Sequence, residues 1–136
     1  MTDQLVPDGR YTVVGAGALA MKDAVVLIDP NEDDARQQWD VYYDAGVYTF
    51  RNVATGVYLG DDNDPDEVLL DLFGTAKPYP WRLTPSTQEP GEYVLASAAS
   101  TSGLVLTRGF KRVHPPRAAL MDPDTHSSSW SLNPVT

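Results

Sequence analysis

Apolar positions in this chain recur in short runs broken by Gly, Pro, Asn and Asp, and the runs fall into three similar sets. Each set opens with Gly-x-Tyr-x-apolar: Gly9-Arg10-Tyr11-Thr12-Val13, Gly46-Val47-Tyr48-Thr49-Phe50 and Gly91-Glu92-Tyr93-Val94-Leu95. Each closes with Trp-x-apolar: Trp39-Asp40-Val41, Trp81-Arg82-Leu83 and Trp130-Ser131-Leu132. Every tryptophan of the chain stands at a closing position. Two more apolar runs lie between these landmarks. They are 18–20 and 25–28 in the first set, 57–59 and 68–70 in the second, and 104–106 and 118–120 in the third. The opening runs alternate, with Tyr11 and Val13 on one face and Arg10 and Thr12 on the other, the period of a half-buried strand.

The unit is about 45 residues long and reads as four short strands. Prolines and glycines scattered through the chain exclude long helices, and only 32–38 tolerates a short helical turn. The sequence therefore predicts an all-β single domain of twelve strands in three pseudo-equivalent four-stranded repeats, at about 8–44, 45–88 and 89–133. Twelve strands must hide their edges, and threefold closure does so. Trp39, Trp81 and Trp130 repeat at one strand position and are predicted to be core.

Composition narrows the function. At 136 residues the chain suits one core, and with no cysteine it has neither disulfides nor thiolate metal sites. Acids outnumber bases 19 to 10, for a net charge of −9, which disfavours nucleic acid as a partner and favours a soluble monomer. The first residues lack a signal-peptide pattern and no run reaches membrane-span length, so a cytoplasmic location is expected.

The repeat pattern resembles the β-trefoil superfamily, and within it the ricin-B-type lectins, which carry Gln-x-Trp near the end of each repeat. Gln37-Gln38-Trp39 matches; Tyr79-Pro80-Trp81 and Ser128-Ser129-Trp130 depart from it. The compact, cysteine-free form is similar to small fungal lectins. The resemblance implies a β-trefoil that binds a glycan or small sugar without catalysis or a cofactor. It also implies a site in which an acid follows the second strand of a repeat and an aromatic closes the third.

The second repeat matches that description best, with Asp61, Asp62, Phe73, Lys77 and Tyr79 as candidate ligand residues. The first repeat offers Lys22, Asp23, Gln37 and Gln38, but no aromatic; the third has Thr107, Arg108 and Met121 in place of acid and aromatic. The incomplete galactose pattern points towards a mannose-type sugar.

A second resemblance, of Asp8-Gly9-Arg10-Tyr11-Thr12 to the start of fungal β-trefoil protease inhibitors, implies a protease as the alternative partner. The basic, proline-stiffened loop 108–117 would then enter an acidic pocket through Arg108, Lys111 or Arg112. A non-catalytic subunit docking on a larger protein is the third expectation. The acidic run 61–67 lacks the glycine and distal glutamate of a calcium loop and reads as a solvated turn, so no metal is expected. His114 and His126 neighbour no nucleophile, and no catalytic constellation is present in the sequence.

Overall fold

The computed structural model describes residues 4–64, 66–68, 71–109, 115–123 and 128–135. The first repeat supplies β1 (Gly9–Val14), β2 (Ala18–Met21), β3 (Val25–Ile28) and β4 (Gln38–Asp44). The second supplies β5 (Val47–Asn52) and β6 (Trp81–Pro85), and the third supplies β7 (Tyr93–Ser97), β8 (Val105–Arg108), β9 (Ala118–Met121) and β10 (Ser131–Pro134). A single 3-10 turn, Ala35–Gln37, falls where the sequence tolerated one, capped by the Asp34 carboxylate, which accepts from the Arg36 N–H. Among the described residues no helix is long and apolar enough to cross a membrane.

The landmarks meet as pairs. Tyr11 stands opposite Trp39, Tyr48 opposite Trp81, and Tyr93 opposite Trp130, so each opening tyrosine is laddered to the closing tryptophan of its own repeat. Antiparallel pairing runs β1–β4–β5–β6–β7; the Tyr93–Trp130 bridge then leads to β10, which pairs with β1. The ladder thus returns to its first strand, which leaves few strand edges to attract another chain.

All three indoles are fully buried. Each donates its ring N–H to a leucine carbonyl of the same repeat's second run: Trp39 to Leu19 at 3.1 Å, Trp81 to Leu59 at 2.9 Å, Trp130 to Leu106 at 3.1 Å. These three contacts relate the repeats to one another, as a β-trefoil requires. At the third runs the repeats converge. The Val25 N–H donates to Leu72 O at 2.7 Å, the Leu72 N–H donates to Ala118 O at 3.2 Å, and Val26 bridges Arg117.

Ten strands are assigned among the described residues, against the twelve expected, and the difference lies in the second repeat. Tyr58 forms only isolated bridges, to Arg51 and to Thr75, so 57–59 is not a ladder strand. The third run of this repeat was expected at 68–70. Instead Leu72, fully buried, occupies the junction with Val25 and Ala118, while Val68 is exposed; Leu69 and Leu70 lie outside the described residues. Leu72, just past this run, is thus the described position that meets the other two repeats.

Replacing any one indole by a phenyl ring removes a donor from a buried carbonyl and opens a void. Trp81→Phe is expected to lower unfolding stability by about 2–4 kcal/mol, read as a shifted urea midpoint with an unchanged slope.

Candidate functional site

The shared geometry of the repeats shows what has diverged in the second one. Counting two residues beyond the leucine that meets each indole gives Met21, Asp61 and Arg108. Met21 is buried and Arg108 exposed, so only the second repeat holds an acid there. The residues after the three-repeat junction are Val26, Phe73 and Ala119; Val26 and Ala119 are buried, whereas Phe73 is 53% exposed.

Asp61 and Asp62 have separate tasks. Asp61 is buried; one oxygen accepts from the backbone N–H of Asn63 at 2.9 Å and from that residue's side-chain amide, and the other accepts from the Phe73 N–H at 3.1 Å. Its carboxylate is thereby committed to fixing the backbone under the Phe73 ring. Asp62 is exposed and accepts from the Thr75 hydroxyl at 2.5 Å. The same hydroxyl accepts from the Lys77 N–H at 3.2 Å, which fixes the stretch carrying the exposed Lys77 side chain. Asp61 is thereby tied to the backbone of Phe73, and Asp62 to the stretch that carries Lys77, with Thr75 as the joint that the sequence pattern did not single out. This stretch carries an exposed ring at Phe73, an exposed carboxylate at Asp62 and an exposed ammonium at Lys77, the residue types a polyhydroxylated ring needs for stacking and for hydrogen bonding.

Tyr79 belongs to the core and not to the exposed cluster. It is 7% exposed, its hydroxyl shares a 2.7 Å hydrogen bond with Ser97, and its ring centroid lies 5.3 Å from that of Trp81. Burial pushes its phenol above the ordinary range, with the Ser97 hydrogen bond acting the other way. Gly60 makes room for this ring: a Cβ there would come within 2.6 Å of the Tyr79 Cβ.

In the first repeat, Lys22 and Asp23 are exposed at the tight turn between β2 and β3. The two glutamines hold a loop. Gln37 is 2% exposed; its amide donates to Asp29 O at 3.0 Å and accepts from the Asn31 N–H at 2.8 Å. Gln38 donates to Glu32 O at 2.6 Å. These amides are used within the 29–38 segment.

In the third repeat, Arg108 is exposed at the end of β8, and the Gly109 N–H donates to Arg117 O at 2.7 Å, closing the base of the basic loop. Arg117 pairs with Asp71 of the second repeat at 3.4 Å. Lys111 and Arg112, with His114, lie outside the described residues. Within the acidic run, the Asp66 carboxylate reaches across to the third repeat and accepts from the Thr101 N–H at 2.5 Å and hydroxyl at 2.9 Å. Among the described residues no three His, Cys, Asp or Glu side chains gather as a metal site would require.

A sequence model of the family described as "Ricin-type beta-trefoil lectin domain-like" matches residues 35–112. No curated protein sequence matches the chain. Among solved structures, the chain is similar to the Macrolepiota procera ricin B-like lectin in complex with lactose, at 14% identity and a TM-score of 0.77, over 97% of this chain and 99% of that one. It is similar to the Rhizoctonia solani agglutinin at 15% identity and a TM-score of 0.76, over 98% and 99% of the two chains. It also matches, at 18% identity and a TM-score of 0.72, the GlcNAcα1-4Gal releasing endo-β-galactosidase from Clostridium perfringens, covering 93% of this chain and 32% of that one. At these identities the likeness is one of fold.

Two outcomes follow from the contacts. The Thr101 hydrogen bonds, from its N–H and then its hydroxyl, hold the Asp66 carboxyl below its ordinary value of 3.8. The stabilisation from this tie is complete above that value and is lost as pH falls through the lower folded-state value. The Thr101 amide resonance is expected to titrate with a midpoint below 3.8 and to lose that transition in Asp66→Asn. Tyr79→Phe, which strands the Ser97 hydroxyl, is expected to cost about 1 kcal/mol in chemical denaturation.

Proposed function

The chain belongs to the ricin-type β-trefoil lectin domain-like family, and from that premise we propose that it is a non-catalytic carbohydrate-binding protein whose sugar site is the Asp62–Phe73–Lys77 cluster of the second repeat. The observation that carries the reading is Phe73. An aromatic ring stands more than half exposed at a position where the other two repeats bury an aliphatic side chain, and a buried carboxylate, Asp61, holds its backbone in place. A side chain whose exposure is maintained at the expense of a buried acid is placed for a ligand rather than for packing.

In this reading the apolar face of a pyranose lies on the Phe73 ring. Vicinal hydroxyls donate to the Asp62 carboxylate, whose orientation is set by the Thr75 hydroxyl. The Lys77 ammonium donates to a ring or hydroxyl oxygen. Asp61 and Thr75 act as positioning residues. The proposed sugar is of the mannose type, because among the described residues no repeat carries the full galactose pattern: the first repeat has Met21 and Val26 in place of the acid and aromatic, and its glutamines are used in their own loop.

Titration calorimetry with methyl α-mannoside, methyl β-galactoside and lactose tests this. Saturable binding of at least one sugar is expected. Phe73→Ala is expected to weaken it about tenfold by loss of stacking, and Asp62→Ala about tenfold or more by loss of charge-assisted hydrogen bonds. Silence towards all three sugars, or affinity unchanged in both variants, refutes the assignment.

A further inference from the structure

A second concave surface lies on the outer side of the β4–β5 hairpin, apart from the cluster above. It encloses about 620 Å³ and is lined by Asp40, Tyr42, Asp44, Val47, Thr49 and Arg51 from the two strands, with Tyr58, Pro78 and Pro80 forming its wall. The strand residues are direct cross-strand partners: Asp40 with Arg51, Tyr42 with Thr49, Asp44 with Val47. Partners of this kind share a face, so the alternation that sends Trp39, Val41 and Phe50 into the core sends these six outward.

The floor is Tyr42, 59% exposed; with Phe73 it is one of the two large aromatic rings among the described residues left more than half uncovered. The wall is stiff. Tyr58 exchanges backbone hydrogen bonds with Thr75 at 2.8 and 3.1 Å, and the Arg51 guanidinium sits 5.9 Å from its ring centroid. Pro78 and Pro80 flank Tyr79, whose burial against Trp81 and bond to Ser97 fix the segment between them.

We propose that this groove is a second carbohydrate subsite, taking an uncharged pyranose stacked on Tyr42; the proposal rests on the reading of the chain as a sugar binder. The polar groups decide the class of ligand. Asp40 is already paired with Arg10 at 2.9 Å, and Arg51 already donates to Gly56 O at 3.1 Å. What remains is a nearly balanced mixture of donors and acceptors around an aromatic floor: Asp44, the Thr49 hydroxyl, the tyrosine hydroxyls and the remaining N–H groups of Arg51. Hydroxyls that both donate and accept match such a lining, whereas a strongly cationic or anionic ligand would lack its counter-charges. The groove also adjoins the first site through one joint. Thr75, which forms an isolated bridge with Tyr58, bears the hydroxyl that orients Asp62.

Backbone amide NMR of the full chain, titrated with lactose and with methyl α-mannoside, separates the two sites. The expected result is two sets of shifted resonances, one over 61–62 and 73–77 and one over 40–51 and 58, with distinct dissociation constants. Tyr42→Ala is expected to raise the groove constant at least about tenfold and leave the other set in place, while Tyr42→Phe retains both. The double variant Asp62→Ala, Phe73→Ala is expected to keep the groove set. Shifts confined to 61–77 overturn the groove and leave the proposed function standing, and shifts confined to the groove support it while removing the Phe73 site. Loss of the groove set in the double variant overturns the proposal, as does absence of shifts with either sugar. A proline-rich basic peptide shifting 40–51 where the sugars do not would also overturn it and assign the face to protein.

Discussion

The fold depends on three hydrogen bonds between indole N–H groups and leucine carbonyls. A buried indole must satisfy its single donor, and a carbonyl in an apolar core must find a partner. Each repeat solves both problems with the same pair of positions, and in doing so fixes how far its second run lies from its closing strand. The opening tyrosine, paired directly opposite the tryptophan, then sets the register of the first strand. Little else needs to be common to the repeats, which explains how loops of unlike length and charge coexist around one core.

That tolerance is where the repeats part. The positions just beyond the shared landmarks hold Met21 and Val26 in the first repeat, Asp61 and Phe73 in the second, and Arg108 and Ala119 in the third. The first is filled for packing. The second is opened, with a buried acid holding an exposed ring. The third leads into the basic loop. The acidic run of the second repeat, instead of being only a solvated turn, reaches the third repeat through Asp66 and Thr101. The charge of that run therefore has a structural use that its composition did not disclose.

Much of the architecture was legible because it is periodic. Repeated Tyr and Trp positions carry their meaning in their spacing, and the alternation of β1, β5 and β7 carries its own. Leu72 was not read as part of the second repeat's third run, because it is buried by its neighbours in other repeats and such neighbours leave no mark within a short window. The family pattern singled out Asp61, Asp62, Phe73 and Lys77, and of these the structure ties Asp61 directly to Phe73. The division of labour between the two acids was not, since adjacent carboxylates look alike until one of them is seen bonded to a backbone N–H twelve residues away. Tyr79, Gln37 and Gln38 look like ligand residues on paper because polar and aromatic groups near a tryptophan serve packing and loop closure equally well. Tyr42 stood in plain alternation on an outward face, but its significance arises only when Pro78 and Pro80 are brought beside it.

The stretch from 78 to 80 joins a surface to an interior within three residues. Its outer members face solvent and its middle member is locked against an indole and a serine. Changes at the outer two can reshape the wall while the scaffold holds the backbone still, whereas a change at the middle one disturbs everything it touches. Selection acting on such a segment can try new partners at the rim without risking collapse, which makes it a natural place for related chains to diverge in taste while remaining alike in form.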